Sequence, residues 1–150
     1  MIAVIQRVNS ATVYADGVLS GSIGKGFYIL LGVGEADSAL DAELLANKIS
    51  KLRIFSDSFG KMNLALADVS GEVLVVSNFT LLANYSHGNR PDYLSAAKPD
   101  TANELYTYFV DYLRQKGIKT CTGVFGADMR TEMSTDGPVT IVMDSAVLRK

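Results

Sequence analysis

Ser77-Asn78-Phe79-Thr80-Leu81 places two hydroxyls and a carboxamide within five residues, directly after the apolar run Val73-Leu74-Val75-Val76. Such a run, rich in β-branched residues, predicts a strand buried on both faces. Loops at the C-terminal ends of buried strands converge above a rigid sheet. A bend there can aim backbone amides at a developing oxyanion. The same residues also fit a strand that continues to Leu82, with Ser77 and Thr80 as polar residues that strands accept. A second segment, Thr135-Asp136-Gly137-Pro138-Val139-Thr140, lies between two strand-like stretches. Proline cannot donate to a sheet ladder, glycine reaches backbone angles closed to other residues, and an X-Pro bond accepts the cis form at little cost. The segment reads either as a hairpin turn or as a rigid piece of backbone whose carbonyls face a ligand.

Other chemistries lack their residues. The chain has one cysteine, Cys121, and one histidine, His87, so neither a disulfide framework nor a zinc site of histidines and cysteines is expected. Thr120-Cys121-Thr122 has no basic neighbour to activate the thiol, and a small buried strand residue is the expected role. Gly21 to Gly26 lacks the spacing and the hydroxyl of a phosphate loop, and no Gly-x-Ser-x-Gly elbow occurs. Ser86-His87 sits in a polar loop without an orienting acid, which argues against a histidine-based hydrolase. A net charge of −2 argues against a broad, sequence-independent grip on nucleic acid and leaves room for local basic patches, such as Lys48, Lys51 and Arg53, or Arg114, Lys116 and Lys119. By default these are solvated helix faces.

These groups need a scaffold. At 150 residues, 48% hydrophobic and 20% charged, the composition is that of one ordinary globular domain covering residues 1–150. No apolar run is long enough for a membrane span, and the N-terminus reads as strand rather than export signal, which points to the cytoplasm. Ile2 to Val8 and Ala11 to Ala15 predict two strands; Asp16-Gly17 predicts a tight turn into Val18 to Ile23. Phe27 to Val33 is apolar on both faces, and Ser38 caps a helix carrying Leu45, Ile49 and Leu52. Asp57-Ser58-Phe59-Gly60 is a turn, and Asn84 to Asp92 a polar loop. Thr101 and Glu104 predict a capping box for a helix ending at Gly117. Strands around Thr122 to Phe125, Met129 to Met133 and Val139 to Met143 would close the chain. The expected class is a single α/β domain, in the order ββ(βα)(βα)βββ.

Taken together, Ser77 to Leu81, Asp136 to Thr140 and the opening Met-Ile-Ala-Val-Ile-Gln-Arg-Val resemble the D-aminoacyl-tRNA deacylases. The likeness extends through Arg53-Ile54-Phe55-Ser56-Asp57, Gly60-Lys61-Met62-Asn63, Gly88-Asn89-Arg90-Pro91 and Phe125-Gly126-Ala127-Asp128-Met129. It implies that family's layered fold, with mixed β-sheets and helices packed on one side, a homodimer, no metal and no organic cofactor. It implies hydrolysis of the ester between a D-amino acid and the terminal adenosine of tRNA. Ser77, Phe79 and Thr80 would form the catalytic pocket, with Asn78 and Met129 beside the substrate. Gly137-Pro138 would be a cis-bonded chiral gate entering the partner subunit's pocket, steadied by Arg7. An L side chain would strike such a wall and a D side chain would point away, while glycine, with nothing to clash, would also be admitted. Two positions depart from the family pattern: Asn78 stands where glutamine is usual, and Thr135 where asparagine is usual.

A threonine hydroxyl is a weak nucleophile without a base, and the sequence places none near Thr80. The expected mechanism is oxyanion stabilisation by amides around Phe79 and Thr80, with the ribose 2′-hydroxyl assisting water. A non-catalytic RNA-end binding protein of the same fold, and an esterase acting on small D-amino-acid esters, are the rival readings.

Overall fold

The computed structural model describes residues 1–149. Ile2 to Ala15 alternates buried and half-buried side chains almost throughout and forms one strand, β1 (Ile2–Ala15), where two were expected. Asp16 and Gly17, both at positive φ (48° and 80°), turn the chain into β2 (Val18–Ile23). β3 (Gly26–Gly32) leads to α1 (Ala39–Ser50), whose entry is held by the Ser38 N–H donating to Asp41 Oδ2 at 2.8 Å. A small hairpin, β4 (Phe55–Ser56) and β5 (Met62–Leu64), precedes β6 (Glu72–Ser77). Then follow α2 (Pro99–Gln115), β7 (Thr120–Thr122) and β8 (Met129–Asp144).

Three expectations change. α2 begins with Pro99 after Lys98, so Thr101 lies inside the first turn and no Thr101–Glu104 capping box forms. Proline's fixed φ and absent N–H suit the first helical position, which outweighs the threonine signal. The strand expected at Thr122 to Phe125 ends at Thr122, and a turn at Val124–Ala127 follows. The last two predicted strands are one, β8. Both of its halves run antiparallel to β1, with Thr135 opposite Val8 and Thr140 opposite Gln6. Asp136-Gly137-Pro138 therefore does not reverse the chain. Five residue steps on β8 span two on β1, so the segment stands out as a bulge within a continuous strand.

β1 organises the sheet. One edge pairs with β8 along most of its length; the other pairs with β3 from Ile2 to Val8 and with β2 from Ala11 to Ala15. β3, β6 and β7 continue the sheet in parallel, so the arrangement is mixed. Both helices cover one face through Leu45, Ile49, Phe109 and Leu113 against Ile5, Phe27, Ile29 and Leu31. The buried Tyr106 hydroxyl donates to the Val75 carbonyl at 2.8 Å, fixing α2 to the centre of the sheet. On the opposite face Val8, Val13, Ile23, Tyr28, Leu74 and Val76 form a second cluster, because the sheet coils until β2 meets β6 and β7. Gly21 allows that approach: a Cβ there would stand 2.8 Å from the Thr122 carbonyl. No helix among the described residues is long and apolar enough to cross a membrane.

Candidate active site

β6 stops at Ser77, and the next residues form a single 3-10 turn, Phe79–Leu82, rather than more strand. Asn78 makes the break. Its N–H still donates to the Leu31 carbonyl on β3 at 2.9 Å. Its side-chain oxygen accepts the Thr80 N–H at 3.2 Å and also the Thr80 hydroxyl. An asparagine bonding two residues ahead is a local turn device, and its carboxamide has the right reach for it. Gly32 leaves room for this turn, since a Cβ there would lie 2.6 Å from Leu82 Cδ2 and 3.1 Å from the Asn78 carbonyl. The Phe79 N–H, first in the turn, has no acceptor among the described residues.

Beside this turn lies a cavity of about 720 Å³. Ser77, Asn78 and Phe79 form one wall, Met129 closes another, and Tyr93 and Phe125 add aromatic surface. The Phe79 ring is 56% exposed and meets Tyr93 edge-on, with centroids 5.0 Å apart. Lys98 and Asp128 supply one charge of each sign. The size suits a small organic group, and the lining is apolar with few polar contacts. Thr80 lies in the same turn and is exposed, but it does not line the cavity. Tyr93, Lys98, Phe125 and Asp128 were not among the residues picked out by sequence. Phe125 and Asp128 belong to a run whose resemblance was noted, whereas Tyr93 and Lys98 arrive from an irregular segment without periodicity.

Arg7, Gly137 and Pro138 form a separate group. Arg7 is buried; its Nε donates to the Asp136 carbonyl at 2.9 Å and lies 3.1 Å from the Asp136 carboxylate. Its Nη1 donates to the Ile54 carbonyl at 2.6 Å. Gly137 and Pro138 are exposed, and the peptide bond between them is cis. Neither lines the cavity of its own chain. Met129 and Gly137 are eight residues apart on β8, or roughly 27 Å along a strand. Thr135 is exposed opposite Val8.

The cavity floor is tied to both chain ends. Val33 accepts the Ala97 N–H at 2.9 Å, and the Gly34 N–H donates to Asp37 Oδ2 at 2.6 Å. The Met1 ammonium donates to Asp37 Oδ1 at 2.5 Å and to Ser145 Oγ at 2.8 Å. Ser145 Oγ donates in turn to Asp41 Oδ1 at 2.8 Å, and Arg149 pairs with the same carboxylate. Burial pushes the Asp41 carboxyl up, but the Arg149 guanidinium and the Ser38 and Ser145 donors outweigh it and hold it well below the usual carboxylate range. His87 sits in the exposed loop, its Nδ1 2.8 Å from Ser86 Oγ, and does not line the cavity. Among the described residues no group of three or more His, Cys, Asp or Glu is placed to hold a metal ion.

A mixed sheet with both helices on one face and a cavity beside the exit of β6 defines the class of protein, and the comparisons refine it. Residues 4–144 match the D-Tyr-tRNA(Tyr) deacylase family, and the chain belongs to that family of hydrolases. A D-aminoacyl-tRNA deacylase of Anaeromyxobacter dehalogenans is 54% identical over 145 residues, 97% of each chain. One from Chloroflexus aurantiacus is 54% identical over 149 residues, 99% of this chain and 93% of that one. A solved structure of a c-Myc DNA unwinding element binding protein is 38% identical, with a TM-score of 0.87 over 96% of this chain and 98% of its own. A probable eukaryotic D-amino acid tRNA deacylase shares the fold at 13% identity, with a TM-score of 0.83 over 95% of this chain and 97% of its own.

Proposed function

We propose that this protein hydrolyses the ester joining a D-amino acid, and also glycine, to the 3′-terminal adenosine of tRNA in the cytoplasm. The relatives' names and the family match support the substrate. The observation that carries the chemistry is the unpartnered Phe79 N–H in the turn that walls the cavity. An amide there, preset by the Asn78 turn, stabilises negative charge without reorganising during the reaction. Thr80 N–H is already engaged by Asn78, so Phe79 is the principal donor. The Thr80 hydroxyl donates to an amide oxygen, which cannot act as a base, so Thr80 is not the nucleophile. Water adds to the ester carbonyl, the ribose 2′-hydroxyl assists the proton transfer, and collapse of the adduct expels the ribose oxygen with a proton. Ser77, Asn78 and Met129 shape the space around the ester.

Stereochemical selection comes from Gly137-Pro138 of a second subunit. The separation of this bulge from its own cavity, and its exposure, support a gate used in trans across a two-fold homodimer. Arg7 holds the gate by bonding the carbonyl just before it. Time courses of deacylation with D-tyrosyl-, L-tyrosyl- and glycyl-tRNA, run side by side, test the reading. Release from the D- and glycyl-tRNAs with the L-tyrosyl-tRNA spared is expected. Binding without turnover, or equal rates on both enantiomers, would overturn it.

A further inference from the structure

The two basic patches of the sequence differ once folded. In the later one, Arg114 pairs with Asp111 at 3.3 Å and Lys119 with Glu72 at 2.7 Å. In the earlier one, Lys48, Lys51 and Arg53 form no ion pair among the described residues, and neither do Lys25 and Lys61 nearby. Arg53 instead donates through Nε to the Asn63 carbonyl at 2.7 Å, which brings it to the return strand β5, directly after Lys61. Two carboxylates lie in the same stretch of chain. Asp57 accepts the Phe59 and Lys61 amides at 2.9 and 3.0 Å, and Asp68 accepts the Ala65 amide at 2.8 Å. Both carboxylates serve their own turns and form no ion pair with these cations.

This positive surface is held rigidly. Phe55 stacks on Phe27 at 5.0 Å, Lys25 lies over the Phe55 ring at 5.6 Å, and the Asp57 N–H donates to the Lys61 carbonyl at 2.8 Å. At the tip, Phe59 is 86% exposed. Arg7 bonds both the Ile54 carbonyl at the base of the hairpin and the Asp136 carbonyl of the gate. Hairpin and gate are therefore one unit. Phe27 is the second residue of β3, and Val33, at the cavity, lies just beyond its end, roughly 20 Å along the strand. The positive surface stands away from its own cavity and travels with the gate.

We propose, on the deacylase reading above, that the β4–β5 hairpin with Lys51, Arg53 and Lys61 seats the phosphates of the tRNA acceptor end, serving the cavity that its Gly137-Pro138 enters. Charge complementarity commits the surface to RNA backbone. A chain of net charge −2 offers no general attraction to a polyanion, so the contact concentrates where unpaired cations stand together. Phe59 is placed to stack on an unpaired base.

The test compares kcat/KM on D-tyrosyl-tRNA with kcat/KM on the D-tyrosyl ester of adenosine, across a series of salt concentrations. The double variant K51A/K61A should lower the tRNA-to-ester ratio about tenfold and reduce the salt slope on tRNA by about 1 per lysine. Lys116→Ala, in the other patch, should leave both within about twofold. An unchanged ratio and slope in the double variant would overturn the proposal and leave the deacylase reading intact. Equal losses on both substrates, with a smaller hydrodynamic size, would assign the hairpin to subunit contact and overturn it as well. Failure of the wild type on D-tyrosyl-tRNA would overturn the deacylase reading and the hairpin's role with it, and is read without any variant.

Discussion

Thr80 is the side chain most easily mistaken for a nucleophile, and its surroundings argue otherwise. Its hydroxyl is spent on the Asn78 carboxamide, and the one histidine does not line the cavity. Thr80→Ala should keep kcat within about fivefold of wild type, against the 10²–10⁴-fold typical of losing a general base or its partner. A fall of a thousandfold in single-turnover deacylation, with unchanged circular dichroism, would restore Thr80 to the chemistry. Asn78 matters more, because it sets the turn that presents the Phe79 amide. Asn78→Ala should cost about 1 kcal/mol of stability as a lost cap. It should also lower kcat about tenfold as the amide loses its preset aim. Asparagine closes this turn at its own side-chain length. Nothing in the structure explains Thr135.

At the scale of elements, the N-terminus, α1 and the C-terminal turn Ser145–Leu148 are held by one polar cluster around Asp41. Its carboxyl is depressed in the folded state, so the stability it contributes is present above its unfolded value of about 3.9. That contribution is lost as the pH falls through the lower, folded value. Asp41→Asn should reduce stability at pH 7 by about 2–3 kcal/mol, since bonds to a charged acceptor are lost. The gap between wild-type and variant urea midpoints should narrow progressively as the pH falls below about 5. A gap independent of pH would mean that packing alone is responsible. For α2 the corresponding anchor is the Tyr106 hydroxyl on the Val75 carbonyl. Tyr106→Phe should cost about 1 kcal/mol and lower Tm by about 2–4 °C.

For the whole molecule, the decisive geometry is the distance between cavity and gate. On the proposed reading Gly137-Pro138 serves the cavity of a second copy, so light scattering should report twice the chain mass of 16.1 kDa. Arg7→Ala removes the buried tie between the hairpin and the gate. It should cost about 2–4 kcal/mol of stability. It should also narrow the D-over-L rate ratio by tenfold or more, while the rate on glycyl-tRNA, which has no side chain to reject, changes far less. Equal loss on all three charged tRNAs would reduce Arg7 to a structural role.

Much of this was legible in the residues themselves. The buried run at Val73 to Val76, the turn at Asp16-Gly17 and the helix ending before Gly117 follow from periodicity and from local backbone preference, which neighbouring residues alone determine. The break at Ser77 was one of two local readings. Pairing partners lie beyond such reasoning. Whether Gly137-Pro138 turns the chain or bulges from it depended on both flanks finding β1, a choice made by register between residues as distant as Val8 and Thr135, and Gln6 and Thr140. The same holds for Tyr93 and Lys98 reaching the cavity, and for which basic patch stays unpaired. Local sequence determined the elements and the residue types at the site. Only tertiary structure decided that Gly137-Pro138 bulges from a continuous strand instead of capping a hairpin, because both flanks of β8 found the same partner, β1.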